Sequence, residues 1–284
     1  MQNLSKTEML AALTNHITKV MTHFGDSCYA WDVVNEALNE DGSYRQSFWY
    51  TKTGTDYITT AFKVANSVKK SLGLKVKLYY NDYNLEWSQQ KSDGALKLVQ
   101  SVKNQGIQVD GVGLQAHLAV GSTPSTAQQV AILKKFTGIG LDVAYTELDI
   151  RMPVGSSVDK QKQQVIDYNN TVAACKQEAK CVGVTIWDFD DTYSWVPSTF
   201  SGQGMALPFY QPNGRNTGIV RKAAYDGIVN GWTGGATSSP ATTRASSTTS
   251  KPTSTPVTPV KTKKASKKKH SRSRRHSSNK SLRA

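Results

Sequence analysis

The sequence predicts an α/β fold: a parallel (β/α)8 barrel of the TIM type that is incomplete, with about five of the eight βα units present. Three observations predict it. Short β-rich runs alternate with single helical patterns at intervals of about 30 to 45 residues, and strands separated in this way pair in parallel through right-handed crossovers. The runs are apolar on both faces, as strands buried beneath helices are. Nearly every run then stops in polar or aromatic residues that a core would reject, and a barrel gathers those carboxyl ends at one mouth. No glycine-rich phosphate loop follows any strand, which sets aside a doubly wound nucleotide-binding sheet.

Residues 5–24 place Leu10, Leu13, Ile17, Val20 and Phe24 on one helical face. "CYAWDVVNE" reads as a strand, "DYITTAFKVANSVKKSLG" as a helix closed by Gly73, and "KVKLYYNDYN" as the next strand. "QKSDGALKLVQSVKNQG" is a helix ending at Gly106, followed by the strand "DGVGLQAH". "TAQQVAILKKFTGIG" and "DKQKQQVIDYNNTVAACKQEA" are helices, followed by the strands "LDVAYTELDI" and "CVGVTIWDF" respectively.

The chain has 284 residues and a formal net charge of +14. The excess is local: 13 of the 35 Lys and Arg fall in 233–284, which holds no Asp or Glu, so 1–232 carries 22 basic against 21 acidic residues. The expected organisation is a catalytic domain over 1–232 and a disordered tail over 233–284, Ser/Thr/Pro-rich and then Lys/Arg-rich. No aromatic residues interleave the basic run, which argues against specific nucleic-acid recognition. No run approaches the length of a membrane span, and the amino terminus lacks the charged and apolar segments of an export signal. Cys175 and Cys181 stand six apart, so a turn can bring their sulfurs together, while a metal site would lack further His or Cys nearby. A local disulfide, and hence an oxidising compartment, is expected, with Cys28 left over.

The strand ends carry the chemistry. Glu36 ends one strand and Glu147 another, 111 positions later, and a closed parallel arrangement can make them neighbours. Two carboxylates flanking a common space are the apparatus of glycoside hydrolysis, one protonating the leaving oxygen and the other attacking the anomeric carbon or activating water. Trp187 and Trp195 offer flat faces for sugar rings. No residue cluster asks for a metal or organic cofactor.

"WDVVNEALNEDGSYRQSFW", "KLYYNDYNLE", "VDGVGLQAHL", "AYTELDIR" and "TIWDFDDTYSW" follow one another in the order of five motifs of the endo-1,4-β-xylanases of glycoside hydrolase family 10, which the chain resembles over about 200 residues. The resemblance implies Glu36 as acid/base and Glu147 as nucleophile of a retaining double displacement, with carboxyls about 5 to 5.5 Å apart. It implies Asn35 as the partner of the sugar 2-hydroxyl, His117 as a donor to Glu147 oriented by Asp149, and Gln115 near the acid/base. Asn81, Tyr83, Trp187 and Trp195 would bind substrate, with xylan and xylo-oligosaccharides as partners. "ACKQEAKC" resembles a disulfide loop of fungal members. Family resemblance also implies a secreted, monomeric protein. Trp31, Trp49, Trp87 and Trp232 read as core or shell residues.

The three strands expected before Leu4 would need about 90 further residues. Their absence leaves unpaired edges on the strands containing Val33 and Val184. The alternative to a working xylanase is therefore a weak or inactive xylan-binding remnant.

Overall fold

Serine hydroxyls start most of the long helices. In the computed structural model, which describes residues 4–235, Ser5 accepts from the Glu8 amide at the start of α1 (Lys6–Phe24), and Glu8 reaches back to close a capping box. β1 (Ala30–Asn35) follows, then a short α2 (Phe48–Thr53) and α3 (Asp56–Leu72), which ends on Gly73 in the left-handed conformation at φ 66°. β2 (Lys77–Asp82), α4 (Gln89–Lys103), β3 (Gly111–Leu114) and β4 (His117–Ala119) come next. α5 (Thr126–Thr137), β5 (Asp142–Pro153), α6 (Val158–Gln177) and β6 (Cys181–Ile186) complete the alternation. α7 (Val196–Thr199), the two-residue strands β7 (Gln203–Gly204), β8 (Phe209–Tyr210) and β9 (Val220–Arg221), and α8 (Ala224–Thr233) close the described chain.

β1, β2, β3, β5 and β6 lie side by side in that order, all parallel, and β4 pairs with the far end of β5. This is the expected run of strands, and the barrel is not closed. Among the described residues β1 and β6 each have one paired neighbour, so both rims of the sheet are bare. Burial follows position. β2 and β3 are buried almost throughout, with Leu78, Tyr80, Val112 and Leu114 inaccessible, whereas β1 and β6 expose residues on both faces.

The apolar face of α1 stands as read but is only partly covered, with Leu10, Leu13 and Ile17 packed against the core. Met9 and Met21 are its buried residues; Leu10, Leu13, Ile17 and Val20 are only half covered, and Phe24 is 47% exposed. α1 packs on α3, but its other flank opens onto a groove lined by Leu13, Ile17, Val20, Trp31 and Val33.

α8 has no counterpart in the sequence reading. It lies along α6 at very short range: a Cβ on Gly227 would fall 2.3 Å from the Val165 carbonyl, and one on Gly231 2.7 Å from that of Asn169. Glycines four apart, which read as breakers, here permit close helix contact. α8 runs one residue past the expected boundary at Trp232; the tail reading for 236–284 lies outside the described residues. Cys175 and Cys181 form the expected disulfide, with Cα atoms 5.2 Å apart, tying the end of α6 to the start of β6. Cys28 is free and exposed.

Candidate active site

Register decides which side chains meet. Asn35 of β1 pairs with Asn81 of β2, and Asn81 with Gly113 of β3. Gly113 leaves room for an amide: a Cβ there would sit 2.3 Å from Asn81 Oδ1. Asn81 fills the space, donating through Nδ2 to Asn35 Oδ1 at 3.0 Å and Glu147 Oε1 at 2.9 Å, while its Oδ1 accepts from Thr146 at 2.7 Å. Gln115 Nε2 donates to the same Asn35 oxygen at 3.1 Å and to Glu36 Oε1 at 3.2 Å. Two carboxamides thus join Glu36 and Glu147 through Asn35.

β1 stops because Glu36 adopts φ 54°, in the left-handed region, with its amide on the Asn81 carbonyl at 2.9 Å. That turn lifts the carboxylate off the strand line into the mouth. A second break at Ala116, φ 61°, separates β3 from β4 and turns Gln115 and His117 toward the same space. An alanine gains nothing from that conformation by itself. Glu86 secures it, accepting the Ala116 amide at 2.7 Å.

His117 Nδ1 donates to Asp149 Oδ2 at 2.8 Å, and Nε2 lies 3.2 Å from Glu147 Oε2. Burial opposes charge on this ring, but hydrogen bonds to Asp149 and Glu147 and their negative charge outweigh it, and the pKa is pushed up to about 9. His117 is therefore an imidazolium donating to both carboxylates at neutral pH. Trp195 Nε1 donates to the same Asp149 oxygen at 2.8 Å and sets its ring edge against His117.

A raised folded-state pKa contributes stability that is complete below the ordinary histidine value, near 6.5, and disappears as pH rises through about 9. The difference in urea midpoint between the wild type and His117→Gln should therefore shrink from about pH 6 to about pH 9.5. A difference that stays constant over this range would exclude the charged pair.

The cleft holding these groups has a volume of about 630 Å³ and is bordered by Glu36, Tyr83, His117, Glu147, Trp187 and Trp195. Trp187 is 46% exposed at the end of β6, a ring face open to a ligand. Asn81, expected to bind sugar, is 1% exposed with both ends of its amide committed, so it positions Asn35 and Glu147 instead. Trp87 and Trp232, read as core or shell residues, are both about half exposed.

Three residues of this region escaped the sequence reading. Arg45 pairs with Glu36 at 3.0 Å and donates to the Tyr83 hydroxyl. Lys91 is wholly buried, 3.1 Å from Asp82 and 3.2 Å from Glu40, with its ammonium 3.3 Å from the centre of the Tyr83 ring. Glu86 is the third. Arg45 and Glu86 both lie within quoted motifs, the stretch that begins at Trp31 and "KLYYNDYNLE", while Lys91 lies in neither.

Carboxylates from different strands, set in one cleft and held by donors that differ for each, define the class: glycoside hydrolases work with such a pair on either side of the bond they cut. The family follows from comparison. The family model described as glycosyl hydrolase family 10 matches residues 1–231, and the chain belongs to that family. It is 49% identical over 230 residues to endo-1,4-beta-xylanase D of Talaromyces funiculosus, covering 81% of this chain and 54% of that protein. An endo-1,4-beta-xylanase of Agaricus bisporus is 44% identical over 231 residues, with 81% and 66% covered. The solved structure of a family 10 xylanase from Bispora sp. MEY-1 with xylobiose superposes with a TM-score of 0.79 at 49% identity, covering 81% of this chain and 69% of that one. The chain thus spans roughly half to two thirds of the length of these curated relatives.

Proposed function

We propose that the protein is an endo-1,4-β-xylanase, hydrolysing internal bonds of xylan with retention of configuration. The observation that carries this reading is the chain of amides joining Glu36 to Glu147, together with the His117 imidazolium on Glu147. In the first step Glu36 gives its proton to the glycosidic oxygen while a Glu147 oxygen attacks the anomeric carbon; the bond to the leaving sugar breaks and a covalent glycosyl ester forms. In the second, Glu36 takes a proton from water, the water oxygen attacks the same carbon, and Glu147 is released.

His117 holds a Glu147 oxygen in place for the attack, and Asp149 with Trp195 keeps His117 oriented. Asn35 hydrogen-bonds the 2-hydroxyl, a contact that strengthens in the oxocarbenium-like transition state. Trp187 and Trp195 line the subsite of the sugar under attack, and Tyr83 stacks on the leaving sugar. The protein works as a monomer outside the cell, and the Cys175–Cys181 disulfide accords with that compartment.

Digestion of xylan by the full chain tests the proposal. Chromatography should show short xylo-oligosaccharides, and proton NMR at early times should show the β anomer appearing first. The α anomer first would overturn retention, and a yield of reducing ends no greater than that of Glu147→Ala would overturn hydrolysis.

A further inference from the structure

The stretch after β1 folds back on itself. Leu38 and Tyr44 pair as an isolated bridge, and the Arg45 amide donates to the Ala37 carbonyl at 2.8 Å. Arg45 is thereby returned to the side of Glu36, nine positions upstream, and it borders the cleft.

Its guanidinium ties two parts of that cleft together. Nη1 donates to Glu36 Oε2 at 3.0 Å, and Nη2 donates to the Tyr83 hydroxyl. The Tyr83 ring is itself a fixed anchor, because the wholly buried Lys91 ammonium lies against it. The Arg45 and Glu36 side chains are 33% and 35% exposed, so water screens this pair less than it screens an ion pair on an open surface.

We propose that Arg45 is a positioning residue for the second step, holding Glu36 as the base that takes a proton from water once the leaving sugar has gone. The proposal rests on the xylanase reading and deepens it. Glu36 accepts on both oxygens, from Gln115 Nε2 at 3.2 Å on Oε1 and from Arg45 on Oε2. Amide and guanidinium N–H groups only donate, so the arrangement fits a carboxylate, the form in which Glu36 enters the second step. In the first step Glu36 carries its proton, and the guanidinium then faces a neutral acid, a weaker partner. Arg45 therefore has its strongest hold on Glu36 in the state from which the glycosyl ester is hydrolysed. A substrate whose leaving group departs without a proton does not use that hold in the first step at all.

The test is phenol release by the full chain from a saturating dinitrophenyl β-xylobioside, whose phenolate leaves unprotonated. The first turnover forms the ester on Glu147 and appears as a burst. The steady rate that follows requires water: its oxygen attacks the anomeric carbon, its proton passes to Glu36 and the bond to Glu147 breaks. Arg45→Met should keep the burst rate and lower the steady rate roughly 10- to 100-fold, the worth of one hydrogen bond to a charged group. Arg45→Lys, which keeps a charge beside Glu36, should recover part of that loss. Azide attacks the same carbon and breaks the same ester bond but has no proton to give up, so it should return the steady rate of Arg45→Met toward that of the wild type, with a glycosyl azide as product. A structural role alone would slow the burst as well and would not respond to azide. An unchanged steady rate, a burst that slows or vanishes with it, or a steady rate that ignores azide would overturn the role of Arg45 and leave the xylanase reading standing. A wild type that releases no phenol would overturn that reading, and the role of Arg45 with it.

Discussion

For the proposed xylanase, Glu147→Ala should lower kcat/KM on xylan by on the order of 10⁴-fold or more, a loss of about 5 kcal/mol or above in transition-state stabilisation. The substitution removes the attacking oxygen and strips the acceptor from Asn81 Nδ2 and His117 Nε2. Glu36→Ala gives the diagnostic contrast. On xylan it should also be damaging, by about 10²- to 10⁴-fold, because the leaving sugar needs a proton. On an aryl β-xylobioside whose phenol leaves without protonation, Glu36→Ala should still form the glycosyl ester and release phenol in a burst, and Glu147→Ala should not. Equal phenol release from the two variants would remove the assignment of separate roles.

Lys91→Met is the largest expected loss of stability, about 3 to 5 kcal/mol, because breaking a buried ion pair leaves an uncompensated charge. Asp82 and Lys91 are both inaccessible to solvent. Asp82 also accepts from the Tyr80 hydroxyl at 2.5 Å and the Tyr83 amide at 2.9 Å. Burial pushes the Asp82 carboxyl up while Lys91 pulls it back, so removing the ammonium leaves only the Tyr80 and Tyr83 hydrogen bonds to oppose the desolvation. Urea denaturation near neutral pH should show the loss, and Lys91→Met with Asp82→Asn should recover much of it, since a neutral pair has no charge to strand. A loss under about 1 kcal/mol for the single variant would mean that water reaches the pair. Tyr83 would also lose the cation beneath its ring, so binding at the leaving-sugar side should weaken along with stability.

The strands were legible because a strand covered on both faces leaves an unbroken apolar run, and because the mouth forces that run to stop in Asn35-Glu36 or Asn81-Asp82. Glu36 sits at such a stop; Glu147, read as a strand end, lies inside β5, which runs on to Pro153, and His117 opens β4 rather than ending a strand. That Asn81 is enclosed while Asn35 stays exposed could not be read. Asn35 and Asn81 end consecutive strands alike, and only the register against Gly113 turns Asn81 inward. Lys91 looks like any solvated lysine near a helix start; its burial depends on Glu40 and Asp82 arriving from other segments. Glu86 and Ala116 lie 30 positions apart, and neither residue type announces a left-handed turn held by a carboxylate. α8 was missed because glycine lowers helix propensity locally, and its gain in closeness to α6 appears only in three dimensions.

β6 is a plank nailed along one side: among the described residues β5 is its single hydrogen-bonded neighbour, and its far tip holds the Trp187 indole over the cleft. The sulfur bridge at its near end acts as a bolt. A loop this small limits the unfolded chain only modestly, so the bolt works locally, stopping the plank from peeling away from α6. Reducing the bridge should therefore loosen the tip that carries Trp187, at the opposite end of the strand from the sulfurs.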